Sequence, residues 1–311
     1  GVDVFFVISG YLITSIILIE KQAGTFSLIN FYERRMRRIL PALFFVIMVC
    51  IPFAWLWLTP NNFRYFSQSV FSVTVFLSNV YFWLRSGYFD LASEFKPLLH
   101  TWSLAVEEQY YLVFPLFILL MWKLGRGWIV GLLVILFAGS LVLAEWGAYN
   151  NTLANFYLAP MRAWELALGS FTAFYFTGRW SPTISDSIHQ VLSGVGILLI
   201  AFAVFTFSKN TPFPGLYALV PTVGTVLIIL FATPTTIVGA VLGSKIFVGI
   251  GLISYSAYLW HQPLLAFARN RFGTDLSLAI LMGLCLAAVG LAYLSWRFIE
   301  QPFRSRDRIA R

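Results

Sequence analysis

The chain has 311 residues, of which 59% are hydrophobic and only 11% are charged, and its mean hydropathy is +0.80. A soluble domain carries roughly a quarter of charged residues, so this composition excludes a soluble globular protein. A membrane-spanning helix needs about 20 apolar residues, and the sequence therefore predicts a polytopic membrane protein.

Apolar runs in chain order predict ten spanning segments. Backbone polar groups find no water in the hydrocarbon layer, so long apolar runs without alternation are expected to be helices. The predicted fold class is all-α, a polytopic integral membrane helical bundle of about ten transmembrane helices, with one membrane domain over 1–304 and a basic tail over 305–311. The predicted spans are 4–19, 39–58, 66–84, 102–122, 128–144, 156–176, 191–207, 216–231, 246–267 and 277–298.

Charge distribution predicts the topology. The connection 20–38 holds five basic residues against two acids, and the positive-inside rule places it in the cytoplasm. Ten crossings would leave the arginine-rich tail outside, against the same rule, so we expect either a re-entrant segment or further chain beyond the tail. The first apolar run begins at once, without the basic region of a signal peptide, and we expect further residues before it.

The net charge of +8 comes mainly from two clusters, 34–38 and 297–311. This distribution indicates membrane topology and anion binding rather than a surface that follows nucleic acid. The two cysteines, Cys50 and Cys285, lie in apolar runs without ligand-like spacing. Neither a disulfide framework nor a metal site is predicted.

The segment FYERRMRRILP carries four arginines at the start of the second predicted span. Arg35 and Arg38 are three residues apart, as are Arg34 and Arg37, so each pair shares a helical face. Planar guanidinium groups bind phosphate oxygens bidentately, which predicts a site for a phosphorylated cytoplasmic ligand. The alternative is a positive-inside anchor that contacts lipid headgroups.

Ionised residues in predicted spans are costly and therefore mark pairs, cavities or active groups. Arg162 and Glu165 are three residues apart and can neutralise each other, either as a structural ion pair or as part of a site. Glu107 and Glu108 have no cation within one helical turn, so one of them is expected to pair across the bundle.

Histidines supply the candidate proton carriers. His100 lies seven residues before Glu107, and a carboxylate beside an imidazole is a usable acid–base pair. His261, in YSAYLWHQP, is interpreted as a proton carrier or as a hydrogen-bonded structural histidine. His189 is expected to be an exposed loop residue beside Asp186.

Six ordered motifs together resemble the membrane acyltransferase family 3: GVDVFFVISGYLI, FYERRMRRILPAL, HTWSLAVEEQYYLVFPL, RAWELALG, ISYSAYLWHQPLL and WRFIEQPFR. The resemblance runs from the first residue to about Arg304. It implies a multi-pass enzyme of the bacterial inner membrane that transfers an acyl group, commonly acetyl, from cytoplasmic acyl-CoA to a hydroxyl of an extracytoplasmic glycan. O-antigen, exopolysaccharide and peptidoglycan are typical acceptors, and membrane lipid surrounds the enzyme.

The same resemblance implies the site residues. Arg35 and Arg38 would serve the acyl-CoA donor, together with Arg34 from the same cluster. The expected catalytic group consists of Glu107, His261, Arg162 and Glu165, without a metal. The family's first helix carries a basic residue and, some eleven positions later, a histidine usually regarded as catalytic. This helix is expected to precede Gly1. A chain without it is expected to be inactive. Many members also carry a hydrolase-like extracytoplasmic domain, which is not in this sequence.

Two alternatives remain open at this stage. A transporter or flippase of a lipid-linked glycan would also use intramembrane charges and broken helices, although no internal repeat is visible. An inactive scaffold is the other. Neither the acceptor glycan, the acyl chain nor the oligomeric state follows from the sequence.

Overall fold

The computed structural model describes residues 1–87, 92–177, 185–208 and 210–304. Helix accounts for 84% of the structure, and no strand occurs within these residues. The predicted all-α class is therefore confirmed. The predicted basic tail, 305–311, lies outside the described residues.

Fourteen α-helices follow one another in the described chain, joined by short 3-10 turns and, near the end, by one π-helical turn. Their bounds are α1 Val2–Gln22, α2 Leu28–Trp57, α3 Pro60–Thr74, α4 Ser78–Leu84, α5 Thr101–Met121, α6 Arg126–Asn150, α7 Thr152–Tyr157, α8 Ala163–Phe176, α9 Asp186–Thr206, α10 Leu219–Phe231, α11 Ile237–Leu242, α12 Lys245–Phe272, α13 Leu278–Ser295 and α14 Gln301–Arg304.

Six helical segments of the described chain are long and apolar enough to cross a membrane, so the predicted count of about ten is not confirmed. The predicted span 66–84 is divided between α3 and α4. Phe76 lies at the break with φ 54°, a left-handed conformation that is rare for a bulky residue. The predicted span 156–176 is also interrupted, by the 3-10 turn Ala159–Met161. The six segments are Val2–Gln22, Leu28–Trp57, Thr101–Leu124, Arg126–Asn150, Asp186–Thr206 and Leu278–Arg304.

The chain forms two compact units, and the first unit comprises Gly1–Phe26 and Val106–Ser244. In it, α1 packs along α8. Gly10 and Gly169 permit this approach, because a Cβ at Gly10 would overlap the carbonyl oxygen of Leu166 and one at Gly169 would overlap that of Val7. Small residues at a helix crossing allow close backbone packing in membranes, where no hydrophobic effect drives helices together.

The second unit comprises Ser27–Ala105 and Lys245–Arg311. In it, α2 packs against α12 and α12 packs against α13. The two contacting helices α2 and α12 run in the same direction, because the residue numbers of successive contacts rise together. The Tyr255 hydroxyl donates to the Ile39 carbonyl at 2.9 Å, the Phe45 and Trp260 rings are 6.2 Å apart, and the Phe53 and Phe267 rings are also 6.2 Å apart.

Candidate functional site

Arg162 forms the centre of a buried charge cluster in the first unit. Its Nη1 atom lies 2.9 Å from Asp3 Oδ1 and 2.5 Å from Glu165 Oε1. All three residues are buried, with exposed fractions of 1%, 5% and 0% for Arg162, Asp3 and Glu165. The ion pair expected from the three-residue spacing of Arg162 and Glu165 is present, and the same Nη1 atom also contacts Asp3.

Asp3 is not among the site residues predicted from the sequence. The feature that could have identified Asp3 is its place in the first turn of an apolar helix, because a charge in such a helix requires a partner. The partner, Arg162, is 159 residues away along the chain, so no local spacing points to it. The pair joins α1 to the start of α8, beside the glycine crossing.

Aromatic rings surround the Arg162 guanidinium. Its carbon lies 5.9 Å from the ring centroid of Phe6, 5.7 Å from that of Phe156 and 5.6 Å from that of Phe213. Arg162 Nε also donates to the Phe156 carbonyl oxygen at 3.4 Å. Cation–π contacts and the two carboxylates together stabilise a buried guanidinium, and they hold this side chain in place.

Glu107 lies on α5 and is 4% exposed. Its Oε1 atom accepts a hydrogen bond from Ser9 Oγ of α1 at 2.5 Å and another from the Tyr111 hydroxyl. Hydrogen bonds to an ionised carboxylate are the strong ones, so this arrangement stabilises a charged or strongly polar group inside the bundle. Glu107 therefore pairs with α1, while Glu108 is half-buried.

A group of hydroxyls connects α1, α5 and α8 of the first unit. Thr14 Oγ1 donates to Ser170 Oγ at 2.8 Å, and the Tyr110 hydroxyl also lies 2.8 Å from Ser170 Oγ. Sequence reasoning did not select these residues, because single hydroxyls are common in membrane helices and carry no charge signal. Tyr110 also lines an apolar cavity of about 700 Å³ beside α5, α6 and α8.

Two histidines meet in the second unit. The ring centroids of His100 and His261 are 5.2 Å apart. Tyr258 contacts both residues: its hydroxyl donates to the His100 carbonyl oxygen and lies 2.9 Å from Ser103 Oγ, and its own carbonyl oxygen is 2.6 Å from His261 Nδ1. The hydrogen bond to a carbonyl places the proton of neutral His261 on Nδ1 and leaves Nε2 as the acceptor.

His100 is 8% exposed, and neither ring nitrogen has a hydrogen-bond partner among the described residues. The acid–base pair of His100 and Glu107 suggested by the sequence is therefore not joined by a hydrogen bond. Burial, and secondarily the nearby His261, hold the pKa of His100 well below its usual value, because a charged imidazole is poorly solvated there. The His100 imidazole is therefore neutral and a weaker base than a solvated histidine.

His261 is exposed, and its Nδ1 is hydrogen-bonded to the Tyr258 carbonyl oxygen, as expected for a hydrogen-bonded histidine. The expectation for His189 was wrong. His189 does not lie in a loop, since it occupies the first part of α9, where it is half-buried and its Nδ1 lies 3.3 Å from the Phe231 carbonyl oxygen.

The four arginines occupy the beginning of α2 in the second unit. Arg34 and Arg38 are exposed and four residues apart, so they share one face of the helix. Arg35 and Arg37 are half-buried, and Arg37 Nε lies 3.0 Å from Glu33 Oε1. The cluster therefore presents at least two guanidinium groups outward beside a half-buried Arg35.

Near this end of α2 lies the last motif of the sequence, WRFIEQPFR. The segment Trp296–Glu300 forms a π-helical turn that packs against α2. Glu300 is 2% exposed and pairs with Arg304 Nη1 at 3.1 Å and with Ser256 Oγ at 3.3 Å. A single π-turn of this kind is frequent at functional sites, and Glu300 is a buried carboxylate that the sequence analysis did not select.

Comparisons with known proteins agree with the motifs. A family profile described as an acyltransferase domain matches residues 1–297. The chain is 40% identical to an uncharacterized protein of Haemophilus influenzae over 73% of this chain and 96% of that protein. It is 29% identical to a putative O-acetyltransferase of Staphylococcus aureus and 31% identical to the peptidoglycan O-acetyltransferase OatA of Listeria monocytogenes, over 98% and 99% of this chain. It spans 52% of each of those two proteins, about half their length. No solved structure matches the chain.

Proposed function

The chain belongs to the acyltransferase family whose profile matches residues 1–297, and from this membership we propose that it is a multi-pass O-acyltransferase of the bacterial inner membrane. It transfers an acyl group, commonly acetyl, from cytoplasmic acyl-CoA to a hydroxyl of an extracytoplasmic glycan. Family membership favours this activity over the transporter or flippase. The O-acetyltransferases among its relatives support an acetyl donor, and OatA supports a cell-wall glycan as acceptor.

The observation that carries the proposal is the order of groups along the parallel helices α2 and α12 of the second unit. Ile39, next to Arg38, is level with Tyr255. His261 follows Tyr255 by six residues on α12, which is about 9 Å further along the axis. The arginine cluster and the imidazole pair thus lie at different heights along the same two helices. This order suits acyl-CoA, which carries its phosphates at one end and its thioester at the other.

In this proposal Arg34, Arg35 and Arg38 bind the phosphate groups of acyl-CoA. Each charge-assisted hydrogen bond contributes about 1.5–3 kcal/mol, so two or three of them hold a nucleotide firmly. The positive-inside rule places this cluster in the cytoplasm, where acyl-CoA is found. The acyl end of the donor then extends into the membrane domain, where water that would hydrolyse a thioester is scarce.

The acceptor hydroxyl must lose a proton as it attacks the thioester carbonyl. We assign this step to His261, the histidine expected from the motifs, because its hydrogen bond to the Tyr258 carbonyl oxygen leaves Nε2 as the acceptor and its ring is exposed. A positioned acid or base contributes about 10²- to 10⁴-fold to a rate. The acyl group ends on the acceptor oxygen, and the thiol of CoA leaves with the proton.

The charged residues of the first unit have two proposed roles. Glu107, held by Ser9 and Tyr111, is the proposed catalytic carboxylate of this unit. Arg162 and Glu165 are paired with each other and surrounded by aromatic rings, which favours a positioning role: they hold α1 against α8 so that Glu107 keeps its geometry.

Replacing Arg35 by alanine in the full-length protein tests the donor site. We expect the affinity for acyl-CoA to fall at least tenfold, since at least one charge-assisted hydrogen bond is lost, while membrane insertion is unchanged. Arg64→Ala is the matched control, because Arg64 is an exposed arginine of the same unit on α3. Unchanged acyl-CoA affinity and unchanged glycan acylation in Arg35→Ala would show that the donor-site assignment is wrong.

A further inference from the structure

A second cavity of the first unit, here called the basal cavity, opens between the ends of α1, α5 and α8 and the beginning of α6. Its volume is about 330 Å³. Because a water molecule takes about 30 Å³, the basal cavity has room for roughly ten such groups, enough for a phosphate with its glycerol. The side chains that the argument uses are Leu18, Gln22, Trp122, Arg126, Ile129 and Phe174.

The basal cavity lies at the end of α1 that is remote from the buried charge cluster. Asp3 contacts Arg162 at the start of α1, and Leu18 lines the cavity fifteen residues later, which is about 22 Å along the helix axis. Gln22, the last residue of α1, also lines it. The connection 20–38, which begins here, is the one that the positive-inside rule places in the cytoplasm. The basal cavity therefore belongs to the cytoplasmic face of the membrane.

Positive charge predominates at the basal cavity. Arg126 lines it, and Lys21 is the neighbour of a lining residue. Glu20 and Asp186 are the nearest carboxylates along the chain, and neither of them lines the cavity. The stretch 178–184, which lies outside the described residues, contains one arginine and neither Asp nor Glu. Its composition therefore adds positive charge and no negative charge.

The Arg126 guanidinium is held at the cavity by two contacts with α8. Its Nη2 atom donates to the Phe174 carbonyl oxygen, and its carbon lies 5.7 Å from the centroid of the Phe174 ring. A guanidinium has five N–H donors, and this hydrogen bond uses one of them. In the part of the chain that the structure describes, no carboxylate pairs with Arg126. The remaining donors suit the oxygens of a phosphate, which guanidinium groups bind bidentately.

A lysine and a tryptophan form the other charged side of the cavity. Lys21 Nζ lies 5.7 Å from the centroid of the Trp122 ring, and Trp122 lines the cavity. A cation over an aromatic face is attracted to it, so this contact keeps the ammonium group beside the cavity. Tryptophan is also enriched at the level of the lipid headgroups. Basic pockets between membrane helices on the cytoplasmic side suit the headgroups of anionic lipids.

Apolar side chains favour a lipid over a soluble phosphate as the ligand. Leu18, Ile129 and Phe174 are buried residues that line the cavity. Ile19 and Trp128, which are next to two of them in the chain, are 60% and 67% exposed. Exposed apolar side chains at the end of a membrane helix contact acyl chains. A phosphate bound here thus has a hydrocarbon surface beside it, which a soluble phosphate does not use.

We propose that the basal cavity binds one anionic phospholipid, with its phosphate against Arg126 and Lys21 and its acyl chains along the adjacent apolar surface. The bound lipid connects α1, α5, α6 and α8 at the cytoplasmic face, where the cavity leaves them without direct packing. Lipid binding does not depend on acyl transfer, so it can be tested whether or not the proposed function is correct.

Native mass spectrometry of the delipidated full-length protein in non-ionic detergent tests the proposal, because it counts bound lipids. Dioleoyl phosphatidylglycerol and dioleoyl phosphatidylcholine are titrated separately; they share their acyl chains and differ in headgroup charge. Arg126→Gln removes the proposed phosphate contact, and Arg126→Lys keeps the charge. Lys123→Gln is the matched control, because Lys123 is an exposed cation close to Arg126 in the chain that does not line the cavity.

We expect the wild type and Lys123→Gln to bind one phosphatidylglycerol at least about tenfold more tightly than phosphatidylcholine, as one charge-assisted hydrogen bond provides. Arg126→Gln should lose this preference, and Arg126→Lys should keep most of it. No preference in the wild type, or equal preferences in Arg126→Gln and Lys123→Gln, would overturn the proposal. If Arg126→Gln does not fold, Lys21→Gln takes its place with the same expected loss and the same refuting result.

A soluble competitor separates a lipid site from a site for free phosphate. Glycerol 3-phosphate carries the charged part of the headgroup without acyl chains, and we expect it to leave phosphatidylglycerol bound when both are present at equal concentration. Displacement of the lipid at equal concentration would show that the cavity recognises a soluble phosphate, and the lipid assignment would then be wrong.

Discussion

Replacing Arg162 by glutamine removes the guanidinium that contacts both carboxylates of the buried cluster in the first unit. Asp3 and Glu165, 5% and 0% exposed, then lose this ion pair. Breaking a buried ion pair by removing one partner costs about 3–5 kcal/mol. We therefore expect the free energy of unfolding to fall by about this amount.

Glu165→Gln is the matched variant. It leaves the contact of 2.9 Å between Arg162 and Asp3 intact, and the new amide oxygen can still accept from the guanidinium. Its cost should be that of weakening one hydrogen bond, about 1 kcal/mol, so the two variants should differ by about 2–4 kcal/mol.

Unfolding in mixed detergent micelles, followed by tryptophan fluorescence, measures both free energies. Trp164, one of the eleven tryptophans, lies next to Glu165 in the chain and is fully buried, so it contributes to this signal. If Arg162→Gln proved no less stable than Glu165→Gln, the view of Arg162 as the counter-ion that holds α1 to α8 would be refuted.

Two further predictions concern the same unit. Gly169→Ala should lower the free energy of unfolding by about 1–3 kcal/mol or more, because its Cβ would overlap the Val7 carbonyl oxygen. Gly131→Ala is the control and should be neutral, because no atom lies within 4 Å of the added Cβ. Equal effects of the two substitutions in the same unfolding assay would contradict the glycine crossing. Glu107→Gln should reduce acyl transfer by about 10²-fold or more while the protein still inserts into the membrane. Ser9→Ala should reduce acyl transfer less, since Tyr111 still donates to the carboxylate. Full turnover in Glu107→Gln would show that Glu107 has only a structural role.

Local patterns account for the parts of this molecule that the sequence analysis predicted. The all-helical class follows from apolar runs, and the ion pair of Arg162 with Glu165 follows from a spacing of three residues. The six motifs identified the family because their order and wording are specific. In each case the information lies within a short stretch of chain or in a known pattern.

The features that were missed depend on distant partners or on backbone geometry. Asp3 meets Arg162 from 159 residues away, and His100 meets His261 only because α12 returns beside the start of α5. Hydropathy does not distinguish a continuous span from two short helices, so the break at Phe76 in the predicted span 66–84 stayed invisible. The exposed face shared by Arg34 and Arg38 likewise required the actual packing of α2.

Each of the two units is built from two separate stretches of the chain, and this arrangement affects how the protein is synthesised and inserted. The second unit joins Ser27–Ala105 to the chain from Lys245 onward, and α12 begins about 190 residues after the end of its partner α2. At about 5–20 residues per second on the ribosome, that delay lasts roughly 9–38 s. Throughout this interval the newly inserted α2 lacks Tyr255, Trp260 and Phe267, and a premature stop anywhere before α12 leaves it permanently without them.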